Sequence, residues 1–228
     1  MFWSSNTSIY SLVARPLIFR LPPEGAHKAA EIALSLPGVW NVFRPFNGAR
    51  DRRLSIDVAG ISLPTPIGLA AGFDKDFKVI GSLLNLGFGF VTGGTVTLSS
   101  RPGNPKPRMV RLPDQNALMN SLGFPGQGLE AAVSRLGKYR RQRDRILVSI
   151  AGTIEDEIVE CPRRTQSHAV GIELNISSPN TAGLQVFHEP ARLRGLIEGL
   201  AAERRVPLFL KLPPWPRDSD NRRDMLKL

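Results

Sequence analysis

Short apolar strands alternating with helices predict an α/β fold on a parallel sheet, of the (β/α)8 barrel type but incomplete. Three observations carry this expectation. First, continuous apolar runs recur as "PIGLAA" (66–71), "FGFVTGGTVT" (88–97), "RILVSIAG" (145–152), "AVGIELNI" (169–176) and "VPLFLKL" (206–212). Runs without polar alternation belong to strands covered on both faces. Second, helical patterns separate them, which implies crossover connections and parallel strands. Third, polar residues gather just after several strands, where a barrel keeps its chemistry. A doubly wound nucleotide fold would place a glycine fingerprint after its first strand, and "GLAAG" is too short for one.

The elements follow in order. Residues 9–20 and the segment after Pro22-Pro23, with Ala26, Ala29, Ala30 and Ala33 at helical spacing, form a short helical pair that Pro37-Gly38 ends. "LSIDVAGISLPTPI" alternates, and Ala59-Gly60 reads as a hairpin turn. Residues 77–86 read as a helix. A loop rich in Pro and Gly precedes the helix "GLEAAVSRLGKYRR", and further helices fall near 154–166 and across "EPARLRGLIEGLAAERR". Two segments are expected: 1–45, an N-terminal helical membrane segment, and 46–228, a partial barrel.

The chain has 228 residues, with 42% hydrophobic and 22% charged content, as a folded core requires. The single cysteine, Cys161, excludes an internal disulfide and a multi-cysteine zinc site. No metal site is expected. The formal charge is +10, and Arg135, Lys138, Arg140, Arg141, Arg143 and Arg145 cluster against Asp144 alone. That cluster reads as a solvated helix end rather than a nucleic-acid platform, since only Tyr139 interleaves it. Anionic lipid or phosphate-bearing ligands are the other partners such charge suits. No run is long enough to span a bilayer. "SIYSLVARPLIFRL" is broken by Arg15, Pro16 and Arg20 and suits an interfacial helix or a targeting segment.

The strand ends deliver Gly72-Phe73-Asp74-Lys75, Thr95-Val96-Thr97, Asn175 with Ser178, and Lys211 to one rim. Amides there can grip a planar hydrogen-bonding ligand, with the serine facing it. Taken singly, Lys75 reads as a surface lysine after a turn. Ser178 reads as a turn residue before Pro179, and Asn120 and Asn180 as loop residues. Lys211 ends an apolar strand, where a charge needs a partner.

"GLAAGFDKD", "GTVT", "RPGNPKPRMVRLPDQNALMNSLGF", "NISSPNTAGL" and "LFLKLPP" together resemble dihydroorotate dehydrogenase. The quinone-dependent, membrane-associated class fits best, because "NISSPN" carries serine where the soluble classes carry cysteine, and "LPPEGAHKAAEIAL" looks like that class's helical hairpin. The resemblance implies oxidation of dihydroorotate to orotate in pyrimidine synthesis, with FMN as cofactor and a quinone as acceptor. Ser178 would be the general base. Lys75, Asn120, Ser121, Leu122, Gly123, Phe124, Asn175 and Asn180 would meet the substrate. Ala71, Gly72, Phe73, Asp74, Lys75, Thr95, Ser149, Asn175 and Lys211 would meet FMN. The N-terminal helices would give peripheral contact with a bacterial or mitochondrial inner membrane. No nucleic acid is expected, and nothing in the sequence sets an oligomeric state.

Four positions depart from the family pattern. Ser149 stands for an asparagine that contacts FMN, Phe77 for a glycine beside the site, Ala182 for a proline and Ser121 for an arginine. Five strands are counted where a barrel has eight. A truncated chain, poorly stable and weak in FMN binding, is therefore expected. A non-catalytic remnant is the alternative. An RNA-acting flavin barrel ranks last, since no cysteine lies near a strand end.

Overall fold

The computed structural model describes residues 10–43, 51–178 and 183–213. Its centre is a five-stranded sheet in the order β3 (Gly68–Leu69), β4 (Phe90–Val96), β7 (Ile146–Ile150), β8 (Gly171–Asn175) and β9 (Leu208–Lys211). Every pairing in it is parallel. The five apolar runs all become strands of this sheet, the first shortened to two residues. The incomplete barrel class is thus what the chain adopts.

Period-two alternation divides the sheet into two faces. Ile146, Val148 and Ile150 of β7 and Ile172 and Leu174 of β8 are buried on the outer face. They join one core with residues of α3 (Ile80–Asn85), α4 (Gly128–Leu136), α5 (Glu155–Thr165) and α6 (Pro190–Glu203). Each helix presents an apolar stripe: Leu129, Ala132 and Leu136 in α4; Ile158, Cys161 and Thr165 in α5; Leu193, Leu196 and Leu200 in α6. In α5, Glu155, Asp156 and Glu157 open the first turn and Arg163 and Arg164 close the last, each matching the helix dipole. Cys161 is buried in this layer, and burial, then Glu157 and Glu160, push its thiol up to about 12. It is a core residue remote from the site.

On the inner face, Phe90, Thr92, Leu147, Glu173 and Phe209 surround a cavity of about 250 Å³. The antiparallel hairpin β1 (Ile56–Val58) and β2 (Ile61–Leu63) contributes Ile56, Val58, Ile61 and Leu63 to its lining. Ala59 and Gly60, both at positive φ, make the turn as expected. One Glu173 carboxylate oxygen is buried without a hydrogen-bond partner among the described residues.

Three expectations need correction. The segment read as a Pro- and Gly-rich loop contains an antiparallel hairpin, β5 (Met109–Leu112) and β6 (Ala117–Asn120). Its reversal is a 3-10 turn at Pro113–Gln115, ended by Asn116 at φ +47°. The helix expected from residue 77 begins at Ile80, because the two Asp74 carboxylate oxygens accept the Lys78 and Val79 N–H groups at 2.8 Å each and hold a turn there. Phe77 is not beside the site. It sits at φ +57°, is 1% exposed, and turns into the outer core against Gly93.

At the N-terminal end, α1 (Arg15–Phe19) and α2 (Pro23–Leu34) form the helical pair. Ser82 Oγ donates to the Leu34 carbonyl at 2.6 Å, and Lys78 pairs with Glu31 at 3.1 Å, so α2 is docked on the barrel. In the basic cluster, Arg145 donates to the Phe88 and Gly89 carbonyls and Arg135 to the Asp76 carbonyl. These two are structural clamps rather than free surface charge.

The Phe77–Gly93 contact is testable. A Cβ on Gly93 would overlap the Phe77 ring. Gly93→Ala is expected to cost about 1–3 kcal/mol through overpacking, read by urea denaturation, and Phe77→Leu in the same chain should return part of that loss.

Candidate active site

The rim of the candidate site is built by backbone irregularity as much as by side chains. In β4 the register against β7 shifts between Gly93 and Val96. Simple alternation would put Thr95 on the same face as Val91 and Gly93. The irregularity, of the bulge type, re-aims it inward. Its Oγ1 accepts from Asn175 Nδ2 at 3.0 Å and lies 3.0 Å from Ser149 Oγ. Three neighbouring strands are thus tied by one buried hydroxyl. Gly72 follows β3 at φ +108°, donates its N–H to the Gly94 carbonyl at 2.9 Å, and faces open space where a Cβ would stand. A side chain there would strain the turn and block the approach of a ligand to the backbone.

A cavity of about 530 Å³ opens at this rim. Its lining brings together most of the residues singled out from the sequence: Ala71, Gly72, Phe73, Lys75, Thr95, Asn120, Ser121, Leu122, Gly123, Phe124, Asn175, Ser178 and Lys211. They come from the ends of β3, β4, β6, β8 and β9, which are far apart in sequence. Asp74 and Ser149 are not part of the lining. Asp74 is 1% exposed and brackets the turn before α3, and burial raises its carboxyl above the usual range. Ser149 is wholly buried beneath the cavity and reaches it only through Thr95. Asn180 and Ala182 lie outside the described residues.

Asn175 is held as a bracket. Its Oδ1 accepts the Ser177 N–H at 3.1 Å and the Ser177 Oγ–H at 2.7 Å, while its Nδ2 donates to Thr95. Because a backbone N–H can only donate, the amide orientation is set by its partners. This positions the start of the Ser177-Ser178 loop over the sheet. Lys75 is partly buried in the wall and makes no hydrogen bond or ion pair among the described residues. Desolvation is the main cause that lowers its pKa, partly opposed by Glu31, Asp76 and Glu24. A desolvated ammonium without a counter-ion favours an anionic ligand beside it.

Sequence reasoning missed His27, Met109 and Leu118 in the wall, and an Arg108–Glu24 fork outside the lining. His27 of α2 lies against Phe73, with ring centroids 4.9 Å apart, and lines the cavity. Met109 and Leu118 enter from the β5–β6 hairpin. Arg108, just before that hairpin, forms a fork to Glu24 of α2, with both bonds at 3.0 Å. The Arg108 guanidinium accordingly holds the Glu24 carboxyl below its usual range. The signal for His27 was present in "EGAHKAA", four residues beyond the start of α2, but a single histidine on a short helix has no pattern to mark it.

The family model described as Dihydroorotate dehydrogenase matches residues 53–227. The chain belongs to the dihydroorotate dehydrogenase family. Among curated relatives, "Dihydroorotate dehydrogenase (quinone)" of Clavibacter sepedonicus is 38% identical over 225 residues, covering 93% of this chain and 65% of the relative. That of Stenotrophomonas maltophilia (strain K279a) is 39% identical over 228 residues, covering 93% and 64%. The crystal structure of a ligand-free DHODH from Eimeria tenella superposes with a TM-score of 0.78 at 32% identity, covering 90% of this chain and 65% of that one. The chain therefore spans slightly less than two thirds of the length of these dihydroorotate dehydrogenases.

His27 supplies a pH test. Burial, and next the charge of Lys75, lower its pKa from 6.5. The unfolded chain then binds the proton more readily than the folded one, so stability is complete above about 6.5 and falls as pH drops below it. Unfolding free energies measured through this range should decline more steeply for the native sequence than for His27→Gln.

Proposed function

We propose that this chain carries the substrate-facing half of a site that oxidises dihydroorotate to orotate, with FMN as the bound cofactor and a quinone as the final acceptor. The observation that supports this most is the convergence of Lys75, Asn120, Asn175 and Ser178 on one cavity of about 530 Å³.

The residues suit the ring system of a flavin. Gly72 leaves backbone open to a flat ligand, Thr95 offers a hydroxyl from below, and Lys211 brings a positive charge from β9. FMN, when bound, supplies the hydride acceptor. The rest of the work falls to the chain itself. Asn120 meets the imide edge of the substrate with donor and acceptor, and Asn175 with the one N–H that Ser177 and Thr95 leave free. Lys75 faces its carboxylate with a partly desolvated ammonium. Ser178 removes the proton from C5. A serine is a weak base, so proton removal depends on neighbours that stabilise and relay charge. Here Ser177 and Asn175 fix the adjoining loop.

The N-terminal helices complete the reading. Leu12, Val13, Leu17, Ile18, Phe19 and Leu21 are exposed around α1, yet no helix among the described residues is long and apolar enough to cross a membrane. An apolar surface of this kind suits peripheral contact with a lipid interface, where a quinone dissolves. His27 of α2 lines the cavity, and the Arg108–Glu24 fork ties α2 to the residue before the β5–β6 hairpin.

Two experiments test the proposal. With FMN added, dihydroorotate-dependent dye reduction should fall by about 10²–10⁴-fold in Ser178→Ala while flavin binding, read by fluorescence, stays unchanged. Equal rates in both forms would refute the role of Ser178. In liposome flotation, Leu17→Glu with Phe19→Glu should move the protein from the lipid to the soluble fraction. Unchanged flotation would remove the membrane assignment.

A further inference from the structure

A third concavity lies at the opposite end of the sheet from Ser178. It measures about 480 Å³, and its lining includes Arg143, Arg163, Gln166, Ser167, Glu203 and Arg205. Arg143 stands just before β7, Gln166 and Ser167 before β8, and Arg205 before β9. Three consecutive strands therefore bring their N-terminal approaches together, a full strand length from Ser178.

Arginines at this end of a barrel ordinarily serve stability. A stabilising arginine has a carboxylate or carbonyl to hold, as Arg163 does with Glu160 at 3.0 Å and Glu203 at 3.2 Å. Arg205 differs. Its guanidinium makes no hydrogen bond or ion pair among the described residues, although its N–H is pinned to Gln166 Oε1 at 2.7 Å. Arg143 has one long bond, from Nε to the Ala169 carbonyl at 3.5 Å, and no carboxylate. Gln166 is itself anchored, because its Nε2 donates to the Glu203 carbonyl at 3.3 Å. The frame is thus fixed while two guanidinium forks stay uncompensated. Ser167, exposed between them in sequence, adds a hydroxyl donor.

Like charges gathered in a concavity raise the local potential and attract an anion. Guanidinium forks match the oxygens of phosphate better than a point charge can. We propose that this cleft binds a small phosphate-bearing anion. The volume suits a compact ligand, and the Glu203 carboxylate in the same lining disfavours a long polyanion.

The test uses the whole chain without flavin. Inorganic diphosphate is titrated while backbone and arginine Nε–H signals are followed by NMR. Saturable shifts should centre on Ser167 and Arg205. Arg143→Ala with Arg205→Ala should weaken binding by roughly tenfold or more. Lys138→Ala with Arg140→Ala, which removes the same charge nearby, should leave it unchanged. Tighter binding of a nucleoside diphosphate than of diphosphate would assign a nucleotide, and equal binding the phosphate group alone. Both support the cleft. Absence of saturation, equal loss in both double variants, or affinity that climbs with oligonucleotide length would overturn it. All four side chains changed are exposed, so folding is preserved, and circular dichroism verifies it. Binding should be indifferent to Ser178→Ala, so this test stands or falls apart from the redox reading.

Discussion

One buried hydroxyl organises the site. Thr95 Oγ1 receives the Asn175 amide from one side and meets Ser149 Oγ on the other, so β4, β7 and β8 are tied at the level where the cavity begins. Asn175 already fills one Thr95 lone pair, and Ser149 is wholly buried with Thr95 as its hydrogen-bond partner. A buried hydroxyl is better satisfied by donating than by leaving its hydrogen unused. Donation by Ser149 leaves the Thr95 hydrogen free for a further acceptor. An asparagine at position 149 would bring a longer amide toward the ligand. The serine instead acts at one remove, by setting the direction in which Thr95 points.

The charges near the cavity differ in how they are balanced. Lys75, in the wall, is desolvated and only partly opposed by Glu31, Asp76 and Glu24. Glu24 and Arg108 neutralise each other across the joint between α2 and the β5–β6 hairpin. His27, which also lines the cavity, is kept toward its neutral form by burial and by Lys75. Positive charge therefore stays concentrated on Lys75, which favours an anion there.

Much of this was legible in the chain. The five parallel strands could be read because each is a dense apolar run, and "NISSPN" because two amides around a serine pair exceed what a turn requires. Thr95 could be placed at a strand end, but not its inward aim, which depends on an irregularity in β4 that leaves no mark in residue type. The β5–β6 hairpin was hidden because "MVRL" and "ALMN" are short and flank Pro113 and Asn116, which read as loop. Phe77 was misplaced for a related reason. Its position in the chain lies next to the site, while its φ of +57° swings the ring to the far face of the sheet.

That ring and the bare α-carbon of Gly93 occupy a shared volume in the outer core. A bulky residue in a left-handed turn carries a conformational penalty, here offset by the burial of the whole ring. Shrinking the aromatic alone would open a void, and enlarging the glycine alone would collide with it. Drift at either position is therefore constrained by the other, and descendants of this sequence should vary at 77 and 93 as a pair, or at neither.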